Sequence, residues 1–484
     1  MSGFSDYLQN FINLKNITLK DLSEETNIDR TVLYRYVKGK RIPSDKNIVV
    51  RMADVAQMSV SEKKHLLEEY DKLILGENIV YSYEYIQRII HSLERLRKNK
   101  LFANNMWNTV SVFKMENMVI ELNTKEDIIT YILDLFKYIA SRKRTEEKIL
   151  LLMQPGYSDI QRFIPQIFGK CSIEIEQIIC MEQNINQSYK NLELFEKILP
   201  LCFSLLKYNL YYYYDSVNNH INNMTTMPNI IIVDDYVVQF DYKMKNGVVI
   251  KNKIFAKIMS KQYYLLKRET HILLMNNKES FFKNIIIENI GKEINICLHK
   301  QLCICNCMSR NILERHIYLS EGKEYFIDKL LGIYGEKDYM EDGDMDVVFV
   351  SYGTVEGMED FMKSGHIEEF PDNIYSPLSL EERLMVLKRM ILEIKEGRII
   401  CRLISDNIKF ADGIIFYLSE NKKQFALSCI SDKSIIQMVI DEQSIYRTFK
   451  MYLEYLEKKG VLYSKEETLR YLENLMKKII KNIF

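Results

Sequence analysis

The sequence predicts a multidomain protein: an all-α N-terminal domain, then a large α/β (α+β) C-terminal region that reads as two related lobes. Three observations carry this. Helical periodicity dominates up to about residue 98. From about residue 146, apolar runs of strand length alternate with helical segments, the pattern of an α/β unit. A series of strands closed by a long helix then occurs twice, at 208–270 and at 398–459. At 484 residues the chain is also too long for one ordinary core. The resulting division is 1–76, a helical connector and dimerisation segment at 77–145, a first lobe at 146–275 and a second at 276–484.

Composition narrows the function classes. Hydrophobic content of 47% and charged content of 27% are globular values, and seven Pro with 17 Gly argue against disordered linkers. The 66 basic and 66 acidic residues cancel, so the chain as a whole is no polyanion binder. No uncharged apolar stretch approaches the length of a membrane span, and no signal peptide opens the sequence. Nine cysteines, an odd number scattered through a long chain, fit reduced thiols in a cytoplasm. Charge is uneven locally, however. Between Arg30 and Arg51 stand seven Lys or Arg against one acid, Asp45, which points to a dedicated anionic partner for that segment.

The first helix is written by Phe4, Tyr7, Leu8 and Phe11 at helical spacing. Thr18 then reads as an N-cap, with Asp21 at the third helical position and Ile17 and Leu22 as a hydrophobic staple. Asp29, Ile28 and Leu33 repeat that grammar eleven residues later. Two short helices follow, about 19–26 and 30–37, joined by a tight turn at Asn27–Ile28–Asp29. Gly39 stops the second in a left-handed conformation, and Pro43 with a Ser44 cap opens a fourth helix near 45–56. On the 30–37 helix, Val32, Leu33 and Tyr36 share one side, while Arg30, Thr31, Tyr34, Arg35 and Lys38 lie within an arc of about 140° opposite. Lys40 and Arg41 lie just beyond its end. Arginine bonds bidentately to guanine in the major groove, and threonine and tyrosine reach bases, methyl groups or phosphates. This is the layout of a helix-turn-helix.

With its I-D-R-T-x-L-x-R-Y-x-K-G-K-R-x-P run, the segment resembles the Cro/repressor-type, or XRE, helix-turn-helix family over about residues 4–60. The resemblance implies base contacts from Arg30, Thr31 and Arg35, with Tyr34 adjacent and Lys38 near phosphate. The chain departs from the family where a polar residue, commonly Gln, opens helix two and holds a phosphate: here it is Leu19. Ser23 takes the usual small position, and Val37 stands where an acid is common.

Further along, Ser59 or Ser61 caps a helix near 62–75 ended by Gly76, and a helix follows at about 79–98. Strands are predicted at 148–153, 173–181, 210–215, within 229–242, and at 247–252, 346–352, 398–404, 413–419, 424–430 and 434–440. Helices are predicted near 158–169, 189–206, 253–270, 379–396 and 441–459. "CLHKQLCICNC" (297–307) is the most suggestive chemical cluster, but zinc sites favour Cys pairs on a turn at different spacing. It reads as an alternating strand with thiols about 6–7 Å apart on one face. "DGDMD" (342–346) opens like a calcium loop, yet Val347 and Gly353 stand where Gly and Glu are required. Asp234–Asp235 reads as a hairpin turn. No phosphate-binding, dinucleotide, zinc-protease or hydrolase motif occurs.

The reading is therefore a non-enzymatic, cytoplasmic transcription regulator that binds double-stranded DNA as a homodimer. No metal and no cofactor is expected. Its C-terminal region would oligomerise and sense a small-molecule or protein signal. The alternative is an enzyme or interaction module carrying a DNA-targeting helix-turn-helix.

Overall fold

The computed structural model describes residues 3–98, 118–142, 148–168, 171, 173–202, 207–216, 226–275, 296–319, 322–334, 349–405, 408, 410–431 and 434–481. The chain forms two compact units. One comprises Met1–Ile86 with Thr448–Lys459, the other Gln87–Arg447 with Gly460–Phe484.

In the first unit, α1 (Gly3–Leu14), α2 (Leu19–Thr26), α3 (Arg30–Val37), α4 (Lys46–Val55) and α5 (Val60–Leu75) close one core, and α6 (Glu77–Lys98) follows. The caps set these boundaries. Thr18 Oγ1 accepts the Asp21 amide at 3.1 Å while the Asp21 carboxylate accepts the Thr18 amide, a complete capping box. Asp29 Oδ1 accepts the amides of Thr31 and Val32 at 2.8 and 3.2 Å. Ser59 and Glu62 form a second box. The fourth helix is capped by Asp45 instead of the expected Ser44: its carboxylate accepts the Asn47 amide at 2.9 Å. A negative charge there also meets the positive end of the helix dipole. Phe4, Leu8, Phe11, Leu22, Leu33, Tyr36, Val49, Met52, Leu66 and Tyr70 fill the centre, so the core closes within the first 73 residues.

The second unit holds two sheets. The first contains β1 (Val119–Leu122), β2 (Lys148–Leu152), β3 (Glu174–Glu182), β4 (Lys207–Asp215), β5 (Asn229–Val233), β6 (Tyr236–Phe240), β7 (Gly247–Lys251) and β8 (His271–Met275), in the order β1-β7-β6-β5-β2-β3-β4-β8. The second contains β9 (Ile296–Leu298), β10 (Phe349–Thr354), β11 (Ile399–Ile404), β12 (Ile414–Ser419), β13 (Gln424–Ser431) and β14 (Ser434–Ile440), in the order β11-β10-β9-β12-β13-β14. The two share one plan. Three successive parallel strands (β2, β3, β4 or β9, β10, β11) spread to one side. A three-stranded antiparallel meander (β5, β6, β7 or β12, β13, β14) returns from the first of them to the other side. A long helix follows each meander.

The helices fall on opposite faces. In the first lobe α7 (Lys125–Ser141), α8 (Ser158–Gln161), α9 (Ile164–Phe168) and α10 (Tyr189–Cys202) make one layer. α11 (Lys253–Arg268) lies on the other face, where Ala256 and Tyr263 pack on Leu150, Ile178, Tyr211, Ile232 and Val237. In the second lobe α12 (Arg310–His316), α13 (Lys323–Tyr334), α14 (Val355–Ser364), α15 (Leu380–Lys395) and α17 (Lys465–Lys481) share a core with Ile399, Cys401 and Leu403. α16 (Gln443–Lys458) takes the place of α11. Its second half belongs to the first unit. There Tyr83 stacks on Tyr455 at 4.1 Å, and Lys459 pairs with Asp71 at 2.5 Å.

Two local readings change and a third holds. The helix expected near 158–169 is two short ones, with Pro165 at the second position of the latter. The Cys303–Cys307 stretch is not a strand: β9 ends at Leu298, and Cys305–Cys307 is a 3₁₀ turn. The thiols of Cys303, Cys305 and Cys307 pack among Leu302, Ile304 and Met308, so apolar burial, and not strand alternation, organises the segment. Asp234, at φ 53°, and Asp235 link β5 to β6 as a two-residue hairpin turn. The 342–346 stretch lies outside the described residues.

Three outcomes follow. Because the first core closes within residue 73, a 1–76 fragment is expected to fold alone with helical circular dichroism and cooperative urea unfolding. In that fragment Asp29→Ala should lower stability by about 0.5–2 kcal/mol through loss of the cap. Cys305→Ser in the full chain should act as a core lesion of about 1–3 kcal/mol, a buried hydroxyl replacing a thiol. Chemical denaturation against the parent chain measures it.

Candidate nucleic-acid interface

Eight residues make α3, and Leu33, Tyr36 and Val37 are buried while Val32 is half-buried. The opposite side is open: Arg30, Thr31, Tyr34 and Arg35 are exposed. The sequence-predicted set is thus brought onto one surface by a helix anchored on its other side. Lys38 is half-buried as the C-cap residue, and its amide donates to the Tyr34 carbonyl at 3.0 Å. Gly39 takes φ 64°, a conformation that favours glycine. The chain then doubles back, and the amides of Lys40 and Arg41 both donate to the Arg35 carbonyl, at 2.8 and 3.2 Å. That return places two exposed cations beside the end of the helix. Lys40 Nζ lies 5.9 Å from the centre of the Tyr34 ring.

Among the described residues, Arg30, Arg35, Lys38, Lys40 and Arg41 make no ion pair with an acid of the chain. Their charges face solvent, where they are free to meet an external anion such as a phosphate backbone. Lys46, counted in the same basic island, does something else. It is drawn to Asp71 at 2.9 Å and ties the start of α4 to α5.

The turn before α3 is held from inside. Ser23 Oγ donates to the Ile28 carbonyl at 2.7 Å, and Asn27 adopts the left-handed conformation that reverses the chain. Leu19, in the place of a phosphate-holding residue, is half-buried against the core, so it supports packing and offers no hydrogen bond. Sequence reading missed the brace on the far side, where the Tyr70 hydroxyl donates to the Pro43 carbonyl at 2.9 Å. Its two ends are 27 residues apart and carry no local signal.

Elsewhere, Cys297 and His299 are fully buried, with His299 Nδ1 at 3.7 Å from Glu368 Oε2. Among the described residues no group of three His, Cys, Asp or Glu is placed to hold a metal ion. No described helix is long and apolar enough to cross a membrane.

Comparison with known proteins bears on the N-terminal segment. No curated protein sequence matches the chain at a significant level. A similar solved structure is that of TrmBL2, an archaeal chromatin protein described as showing a novel mode of DNA binding. It is 10% identical, covers 46% of this chain and 88% of its own, and superposes with a TM-score of 0.23. The Helix-turn-helix family model matches residues 8–50, which span α2, the turn and α3. The chain therefore carries an XRE-type helix-turn-helix at its N-terminus, followed by a large mixed α/β region with two sheets.

Proposed function

We propose that this chain is a sequence-specific, cytoplasmic DNA-binding transcription regulator. The observation that carries this is the exposed, unpaired set Arg30, Arg35, Lys40 and Arg41, with the half-buried Lys38, on and beside a helix whose other side is buried. In this reading Arg30, Thr31, Tyr34 and Arg35 enter the major groove, and Lys38, Lys40 and Arg41 follow the phosphates. One such helix reads only a few base pairs. Specific binding then calls for a dimer that presents two of them about one helical turn apart, or a multiple of it. The α/β region is assigned oligomerisation and response to a small-molecule or protein signal, with no catalytic role.

Selection of a binding site from random duplexes, followed by anisotropy titrations, tests this. Arg30→Ala is expected to weaken the selected site by about 1–3 kcal/mol and relax preference at one base position. Lys40→Ala should weaken all sequences alike and flatten the dependence of affinity on salt. If neither change alters affinity for the selected duplex, another surface of the protein reads DNA.

A further inference from the structure

We infer that the chain self-associates head-to-tail, the α15 face of one copy seating on the α11 face of the next. The inference is independent of the DNA-binding reading and goes beyond a two-chain assembly. It rests on the way the two lobes already meet within one chain.

The lobes share a strand plan, and their closing helices correspond residue by residue. Asn252 caps α11 by accepting the amides of Ile254 and Phe255. Glu442 caps α16 by accepting those of Ser444 and Ile445, the same positions at a constant offset of 190 residues. Under that offset the inward residues Phe255, Ala256, Met259, Tyr263 and Leu266 of α11 correspond to Ile445, Tyr446, Phe449, Leu453 and Leu456 of α16. All five in α16 are buried.

The contact between lobes joins unlike faces. From the first lobe, the α10 layer supplies Asn191, whose amide donates to Ser444 Oγ at 2.9 Å, and Phe195, whose ring lies 6.3 Å from that of Phe425. The Tyr214 hydroxyl, at the end of β4, donates to Glu442. From the second lobe come the start of α16 and the meander. A crossover-helix layer thus lies on a closing-helix face, and α10 is buried on both of its sides.

Each half of this contact has a second copy in the molecule, and both carry exposed aliphatic side chains among the described residues. The crossover helix α15 corresponds to α10, yet Met385 and Leu392 are 54% and 49% exposed. On α11, Ile254 stands where Ser444 meets Asn191, and it is 72% exposed, with Ile258 at 50% and Leu265 at 52%. Beside α11 the sheet is dented by a shallow cavity lined by Leu152, Ile178, Tyr213 and Tyr242. Isolated exposed aliphatics are ordinary on a protein surface. Here Ile254 stands at the position through which Ser444 meets Asn191, and Met385 and Leu392 lie on the crossover helix that corresponds to α10. Lys257, Lys261 and Arg268 flank the α11 ridge with no acid on that helix, so two α11 faces set against one another bring like charges together. The α15 helix carries Glu381, an acid of a kind α11 lacks, beside Lys388 and Lys395, and so repels the α11 ridge less than a second α11 face does. A contact between unlike faces does not close at two copies unless its rotation happens to form a ring.

Sedimentation of the full chain without DNA, over a wide concentration range, reads this directly. The parent protein is expected to pass beyond the mass of two chains as concentration rises. Ile254→Glu and Met385→Glu should each remain single chains. Mixed together, they should form a pair that does not grow, because each variant keeps one intact face. Ile258→Glu and Leu392→Glu serve as a second pair if either first variant loses cooperative melting. A parent chain that stays single throughout, or mixtures that do not pair, would overturn the inference. So would loss of association in the α11 variants alone, which would mean that α11 packs on itself.

Discussion

Burial of one side of α3 is the constraint on which the rest of the candidate interface depends. An eight-residue helix is marginal in water, because nucleation consumes most of what so few hydrogen bonds return. It persists because Leu33 and Tyr36 are sunk into the core shared with α1, α4 and α5. The same burial fixes its rotation. With Leu33 inward, Arg30, Tyr34 and Arg35 have no direction left but outward. The caps at Thr18 and Asp29 then set where each helix begins, and the left-handed residues Asn27 and Gly39 set the turns on either side.

Much of this first unit was legible from sequence because its determinants are local. A cap and the amides it satisfies lie two or three residues apart, and a staple spans only a few more. The α2 and α3 boundaries and the outward set on α3 follow from such pairs alone. Error entered where two residues competed for one role, as Ser44 and Asp45 did at the start of α4, where the carboxylate took the cap. It also entered where burial overrode pattern. The alternation of Cys303, Cys305 and Cys307 suggests a strand, but these side chains are packed on all sides within a helical layer, and the backbone turns instead. What no local rule supplies is partnership over distance: Tyr70 with Pro43, Lys46 with Asp71, or α10 with the start of α16.

The two sheets show how much one plan tolerates. Strand order and direction are kept, as is the closing helix with its cap, although the capping residue is Asn in one and Glu in the other. Edges differ more: the first sheet adds β1 and β8 outside the shared six strands. Interior strands are specified by neighbours on both sides and by two covered faces, whereas an edge strand answers to one neighbour only. The repeated strand series was visible in the sequence for that reason, while β8 and the final helix α17 were not foreseen.

The membership of Thr448–Lys459 in the first unit has a consequence for synthesis. The ribosome makes Tyr83 372 residues before Tyr455, and Asp71 388 residues before Lys459. At roughly 5–20 residues per second, the helix-turn-helix core is finished and exposed for about 20–70 s before that late segment exists. During this interval the Tyr83 ring has no Tyr455 to stack on, and the Asp71 carboxylate has only Lys46 to answer it. Nascent and prematurely terminated chains therefore carry the helix-turn-helix segment with its last brace missing.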